Sequence, residues 1–273
     1  MFSATESTLV IGHRGGAGAA PENTVAAIRH GIEAGADAIE FDIHATRDDR
    51  IVVIHDDTLE RTTDGEGIVE ELRLDELRRF DAGFNFTPDL GRSFPFRGIG
   101  IGIPTLEEAV EASEGLPIIC EVKTARAGQL LAGWLPGKPV RERMIVGGFD
   151  LEAVRPAAEA ARWRCASQQD LTPFVLLGKL GIPAQLASDI AAAIVPIRKG
   201  LVRVVTRGFV RRCHAAGTGV HVWTVNRPDE MRLLLELGVD GLISDFPAIA
   251  RRIVEEHRAH GMAGASDLEP AQE

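Results

Sequence analysis

Two histidines and three carboxylates stand at the ends of apolar runs, where a folded chain could gather them: His13, His55, Glu40, Asp42 and Glu121. In Ile39-Glu40-Phe41-Asp42-Ile43, strand alternation sets Glu40 and Asp42 on one face and the apolar residues on the other. Burying both acids unpaired would be very costly, so they call for a cation. An all-oxygen donor set selects a hard ion such as Mg2+ or Ca2+ over zinc; a structural ion pair with Arg or Lys is the alternative. Ile119-Cys120-Glu121-Val122-Lys123 repeats the device and adds Glu121 and Lys123 to one face.

His13 lies in Gly12-His13-Arg14-Gly15-Gly16, and His55 ends Ile51-Val52-Val53-Ile54-His55-Asp56. A lone histidine is more often a hydrogen-bonded structural group, but two at strand ends can act as acid and base near neutral pH. The glycine-rich loop after His13 lacks the GK[ST] of a P-loop, and Pro21 replaces the last glycine of GxGxxG, which removes both nucleotide readings. The remaining inventory suits phosphodiester cleavage. That reaction needs charge neutralisation on phosphoryl oxygens, here by a cation, Arg14 and Lys123, together with a base and an acid.

The elements that must position these groups are eight short apolar runs, at 8–12, 36–43, 116–122, 143–147, 163–167, 192–197, 219–225 and 240–244. Helical patterns lie between them, following Thr24, Thr105, Asp150 and Thr206 and preceding Asp240, several starting at Thr or Asp and ending at Gly. Eight βα units predict a TIM (β/α)8 barrel, favoured over an open doubly wound sheet, with its chemistry at the C-terminal ends of the strands. Residues 1–260 read as a single domain. Residues 57–103 are turn-rich and aperiodic and read as an insertion over the barrel mouth after the second barrel strand; 261–273 read as a flexible C-terminal tail.

The formal net charge of −10 argues against nucleic acid and against stable membrane association, both of which need a basic face. Against that background Arg198, Lys199, Arg203 and Arg207 form a basic cluster, either an element for an anionic substrate tail or a solvated face. Cys120, Cys165 and Cys213 have no metal-ligand spacing and read as core thiols of a reducing compartment. With no signal-like start and no apolar run long enough to span a bilayer, a cytoplasmic location is expected.

The chain resembles the glycerophosphodiester phosphodiesterase family through motifs that occur in order. These are His13-Arg14-Gly15, Pro21-Glu22-Asn23-Thr24, Glu40-Phe41-Asp42, His55-Asp56, Arg61-Thr62-Thr63 and Ile103-Pro104-Thr105-Leu106. They continue through Glu121-Val122-Lys123, Val222-Trp223-Thr224-Val225-Asn226 and Gly238-Val239-Asp240-Gly241 to Asp245-Phe246-Pro247. The resemblance implies a Mg2+ or Ca2+ ion on Glu40, Asp42 and Glu121, with His13 and His55 as acid and base and Arg14 and Lys123 on the phosphate. It further implies a substrate contact for Glu22 and an apolar wall from Trp223, for which plain core packing is the alternative; Asn23 serves either the site or a helix cap with Thr24. His44 shares the face of the two acids but is expected at the surface or behind the site. The chain departs from many relatives at Gly147-Gly148-Phe149, where they carry a serine before Phe.

The implied reaction is hydrolysis of glycerophosphodiesters, deacylated phospholipids, to an alcohol and glycerol 3-phosphate, by attack of a glycerol hydroxyl and hydrolysis of a cyclic phosphate. One rival is a phospholipase-type phosphodiesterase on intact lipid, which should show an exposed apolar or basic face. Another is a non-catalytic ligand-binding barrel, against which the intact histidines and carboxylates speak.

Overall fold

The computed structural model describes residues 8–179 and 185–266. In chain order its strands are β1 (Leu9–Gly12), β2 (Ala38–Ala45), β3 (Ile51–Val53), β4 (Ile118–Val122), β5 (Met144–Gly147) and β6 (Trp163–Cys165). They continue with β7 (Ile190–Pro196), β8 (Arg198–Lys199), β9 (Val202–Arg203), β10 (Gly219–Trp223) and β11 (Gly241–Ser244). The helices are α1 (Val25–Glu33), α2 (Leu74–Leu77), α3 (Leu106–Ala112), α4 (Ala125–Trp134), α5 (Leu151–Ala160), α6 (Gln168–Lys179), α7 (Arg207–Ala215), α8 (Pro228–Leu237) and α9 (Pro247–Ser266).

Eight strands pair in parallel in the order β1, β2, β4, β5, β6, β7, β10, β11, and β11 returns to β1. The result is the closed TIM barrel that the eight apolar runs predict, each strand followed by a helix on the outside. The parity of β2 follows the expected face. Ile39, Phe41 and Ile43 pack outward with Leu106 of α3 and Ala127 and Leu131 of α4, so Glu40 and Asp42 turn into the barrel. Ile11, Ala38, Ile119, Ile145 and Ile243 fill the interior below them.

Thr24, Thr105, Thr124, Asp150 and Thr206 each accept a backbone N–H of the first helical turn, so the loops leaving the strands end in short, fixed caps. Three helices lie outside the helical patterns named from the sequence: α4, which contains Gly128 and Gly133, α6, which contains Pro173, and α9. The last of these extends to Ser266, so residues 261–266 are helical, and 267–273 of the expected tail lie outside the described residues.

Between β2 and α3 the chain runs back antiparallel to β2 as β3 and then winds through α2 around an apolar cluster of its own, with Val52, Leu59, Val69, Leu77 and Ile103. Arg97 lies over the rings of Phe84 and Phe94 at 4.1 and 3.8 Å. Thr124 donates to Glu70 at 2.6 Å, which ties this segment to the loop after β4. Cys120 and Cys213 are buried and Cys165 is half-buried; all three are free thiols. No helix among the described residues is long and apolar enough to cross a membrane.

Candidate active site

All five groups singled out in the sequence lie at the C-terminal end of the barrel. Glu40, Asp42 and Glu121 each offer an oxygen within 4.8 Å of the others, the register Asp42 to Glu121 setting the two strands' acids side by side. Lys123 donates to Glu121 at 2.5 Å and lies 2.9 Å from Asp42. The ion-pair alternative is thus partly realised. It leaves Glu40 out: among the described residues Glu40 has no Lys or Arg ion-pair partner, only the Arg14 N–H at 2.8 Å and His13 Nε2 at 4.0 Å.

The electrostatic consequence falls on Glu40. Burial, then the negative charges of Asp42 and Glu121, push its carboxyl up to about 8 against the pull of His13. Asp42 is equally buried, yet Lys123 and the Asn23 amide overcome the burial and hold it below the usual carboxylate range. Lys123 is raised in turn, since Asp42 and Glu121 outweigh its own burial. Three convergent oxygens with surplus negative charge fit a hard divalent cation.

Each histidine is held by an aspartate through Nδ1. His13 Nδ1 is 2.6 Å from Asp245 Oδ1, and His55 Nδ1 is 2.6 Å from Asp56 Oδ1. An ionised carboxylate only accepts, so Nδ1 carries the proton and Nε2 is the nitrogen available for exchange. Burial would lower the His13 imidazole, but the Asp245 bond and the Glu40 charge outweigh it and raise the pKa. Asp56 is drawn down to about 2, the bonds from Arg61 and His55 overriding its burial.

The loop after β1 is shaped for this. Arg14 adopts φ 49°, a left-handed conformation uncommon for a side-chain-bearing residue, and thereby aims its own N–H at Glu40. Gly15 at φ 90° lets the loop touch α1: a Cβ there would stand 2.7 Å from the Ile28 nitrogen. The Arg14 side chain donates to Glu22 at 2.7 Å, and its Nε is buried without a hydrogen-bond partner, 3.6 Å from Asp42.

Glu22 is saturated with cations. It accepts from Arg14 and from both terminal nitrogens of Arg61, each at 2.7 Å, and Arg61 also pairs with Asp56. Asn23 is not the helix cap; Thr24 fills that role. Asn23 instead clamps Asp42, donating to Oδ2 at 2.8 Å and accepting the Asp42 N–H at 3.1 Å, from a left-handed φ of 57° that asparagine tolerates. Trp223 stands at the end of β10 with its ring edge-on to Phe149, centroids 5.6 Å apart. Phe149 follows the atypical Gly147-Gly148 step, so the exposed ring there meets Trp223.

Four further residues belong to the site. Asp245 orients His13, and Asn226 donates to Asp245 at 2.6 Å while accepting its N–H at 3.0 Å. Asp56 orients His55. His44 is fully buried rather than at the surface, and its Nε2 donates to the His55 carbonyl at 3.1 Å. Burial pushes His44 down, which keeps the imidazole neutral.

The glycerophosphoryl diester phosphodiesterase family model matches residues 13–135 and 141–249, a stretch that contains every residue of this site. The chain belongs to that family. A glycerophosphodiester phosphodiesterase of Caldanaerobacter subterraneus subsp. tengcongensis is 32% identical over 263 residues, covering 91% of this chain and 98% of its own. One from Bacillus altitudinis is 30% identical, covering 91% and 99%. Among solved structures, the glycerophosphoryl diester phosphodiesterase domain of an uncharacterised Mycobacterium tuberculosis protein superposes with TM-score 0.82 at 22% identity, over 90% of this chain and 99% of that one. An Oleispira antarctica phosphodiesterase in complex with sn-glycerol-3-phosphate gives TM-score 0.71 at 26% identity, over 91% and 97%. Family membership makes the chain a hydrolase of glycerophosphodiesters, and the family's dependence on a divalent cation meets the acidic cluster of Glu40, Asp42 and Glu121.

Proposed function

We propose that this family member hydrolyses soluble glycerophosphodiesters to an alcohol and glycerol 3-phosphate, with His13 and His55 exchanging the protons and Glu40, Asp42 and Glu121 holding Mg2+ or Ca2+. The reading is carried by one observation: two Asp-held histidines stand over a cluster of three carboxylates whose charge Lys123 only partly balances. When bound there, a divalent ion supplies charge neutralisation for the phosphoryl oxygens.

The chain's own residues do the rest. Arg14, fixed by Glu22 and carrying a buried Nε with no hydrogen-bond partner, and Lys123 present positive charge to the phosphate. Glu22 acts on the substrate through Arg14, because its oxygens are already occupied. Asp245 and Asp56 keep each Nε2 directed for transfer and stabilise the imidazolium that forms. Trp223 with Phe149 offers an apolar wall to the glycerol or alcohol moiety, and residues 57–103, as an insertion beside the mouth, select the headgroup. The product seen in the Oleispira antarctica complex is the one expected here.

The test is a screen of purified protein on glycerophosphocholine, glycerophosphoethanolamine and related diesters with Mg2+, Ca2+ or Mn2+. Release of glycerol 3-phosphate that EDTA stops is expected. Absence of turnover on every diester with every ion would remove the proposal.

A further inference from the structure

The basic cluster singled out in the sequence takes no part in the site described above, and its shape is specific. β8 and β9 form a two-stranded antiparallel hairpin whose turn is Gly200-Leu201, with Gly200 at φ 59°. It rises directly from the end of β7, where Pro196 pairs in register with Trp223, so it stands on the mouth side of the barrel.

Two features of this hairpin have no explanation in the fold. Leu201 at the tip is 99% exposed and Val202 is 53% exposed, although turns draw on small or polar residues. Arg198 and Arg203 face each other across the ribbon, and like charges in that position are destabilising. Arg203 turns its Nε to the Val205 carbonyl at 3.2 Å. Among the described residues, Arg198, Lys199, Arg203 and Arg207 make no ion pair, whereas Arg47, Arg78, Arg162 and Arg227 each rest on a carboxylate.

We infer that this hairpin is a docking element for an anionic phospholipid surface, with Leu201 and Val202 entering the headgroup layer and Arg198, Lys199 and Arg203 meeting the lipid phosphates. The charge is complementary to an anionic partner, and the apolar tip selects lipid over nucleic acid or a free anion, neither of which would repay its exposure. The net charge of −10 does not oppose it at contact, because screening confines the field of the rest of the surface to about 8–10 Å. Docking would be reversible and salt-sensitive, with the barrel mouth turned to the membrane where glycerophosphodiesters arise. The expectation of no stable membrane association rested on overall charge; the hairpin concentrates the opposite charge locally.

Cosedimentation of the full chain with phosphatidylcholine vesicles and with phosphatidylcholine–phosphatidylglycerol vesicles tests this without reference to turnover, so it stands or falls apart from the proposed reaction. Binding to the anionic vesicles alone, released by salt, is expected. Arg198→Gln/Lys199→Gln/Arg203→Gln should weaken it by about a hundredfold, and Leu201→Ser should weaken it while leaving hydrolysis of soluble diesters and the thermal midpoint unchanged. Equal recovery with both vesicle types, or variants that bind as the parent does, would overturn the inference. So would a cation variant that keeps vesicle binding but raises KM for a soluble diester, which would mark a substrate-tail site.

Discussion

His13 Nδ1 lies 2.6 Å from Asp245 Oδ1, joining the ends of β1 and β11, the first and last strands of the barrel. The closure of the barrel therefore also sets the orientation of one of its two histidines. Asn226, from the loop after β10 on the other side of β11, holds Asp245 by two hydrogen bonds and completes the support.

Asp245→Asn should keep the fold and lower kcat by about a hundredfold, with KM little changed, because the imidazole loses its preferred tautomer and the charge that stabilises the imidazolium. Steady-state kinetics with a pH profile checks it. A parental kcat would show that Asp245 does not act through His13.

Some of this was legible in the chain and some was not. The alternation around Glu40 and Asp42 and the caps at Thr24, Thr105 and Thr206 report strand faces and helix starts, because they depend on neighbours a few residues away. Asp245 lies 232 positions from His13, and nothing local to either residue indicates the pair. The same holds for the Asn23 clamp on Asp42, hidden beside a Thr that caps the helix, and for His44, whose partner is a backbone carbonyl brought back by the antiparallel strand β3.

Metal and pH should be linked through Glu40. Its carboxyl is raised from the ordinary 4.5 to about 8, so the metal-free folded protein holds a proton that the unfolded chain releases near 4.5. That contribution to stability is full below about pH 4.5 and is lost as pH rises toward 8. Divalent cation should accordingly raise the thermal midpoint more at pH 8 than at pH 6, and Glu40→Gln should flatten the metal-free dependence. Melting curves at both pH values, with and without Mg2+, decide it; an equal metal effect at both would contradict the assignment.

Asn23→Gly keeps the left-handed backbone at φ 57° while removing both bonds to Asp42. A loss of about 1–3 kcal/mol in metal-free stability is expected, together with weaker cation binding. Urea unfolding and calorimetric titration measure the two effects, and an unchanged value for both would deny the clamp.

His44→Phe removes the donor to the His55 carbonyl and should lower kcat by about tenfold through misplacement of His55. His44→Gln, which can still donate, should recover part of the rate. Loss of rate that Gln does not relieve would point to packing instead.

The most direct test follows 31P spectra of glycerophosphocholine with metal-stripped protein before and after Mg2+ or Ca2+ is added. The account predicts no change at first, then conversion to glycerol 3-phosphate, with His13→Ala and His55→Ala slower by about 10²-fold or more while still binding the ion. Equal turnover without metal, or phosphocholine as the product, would contradict it.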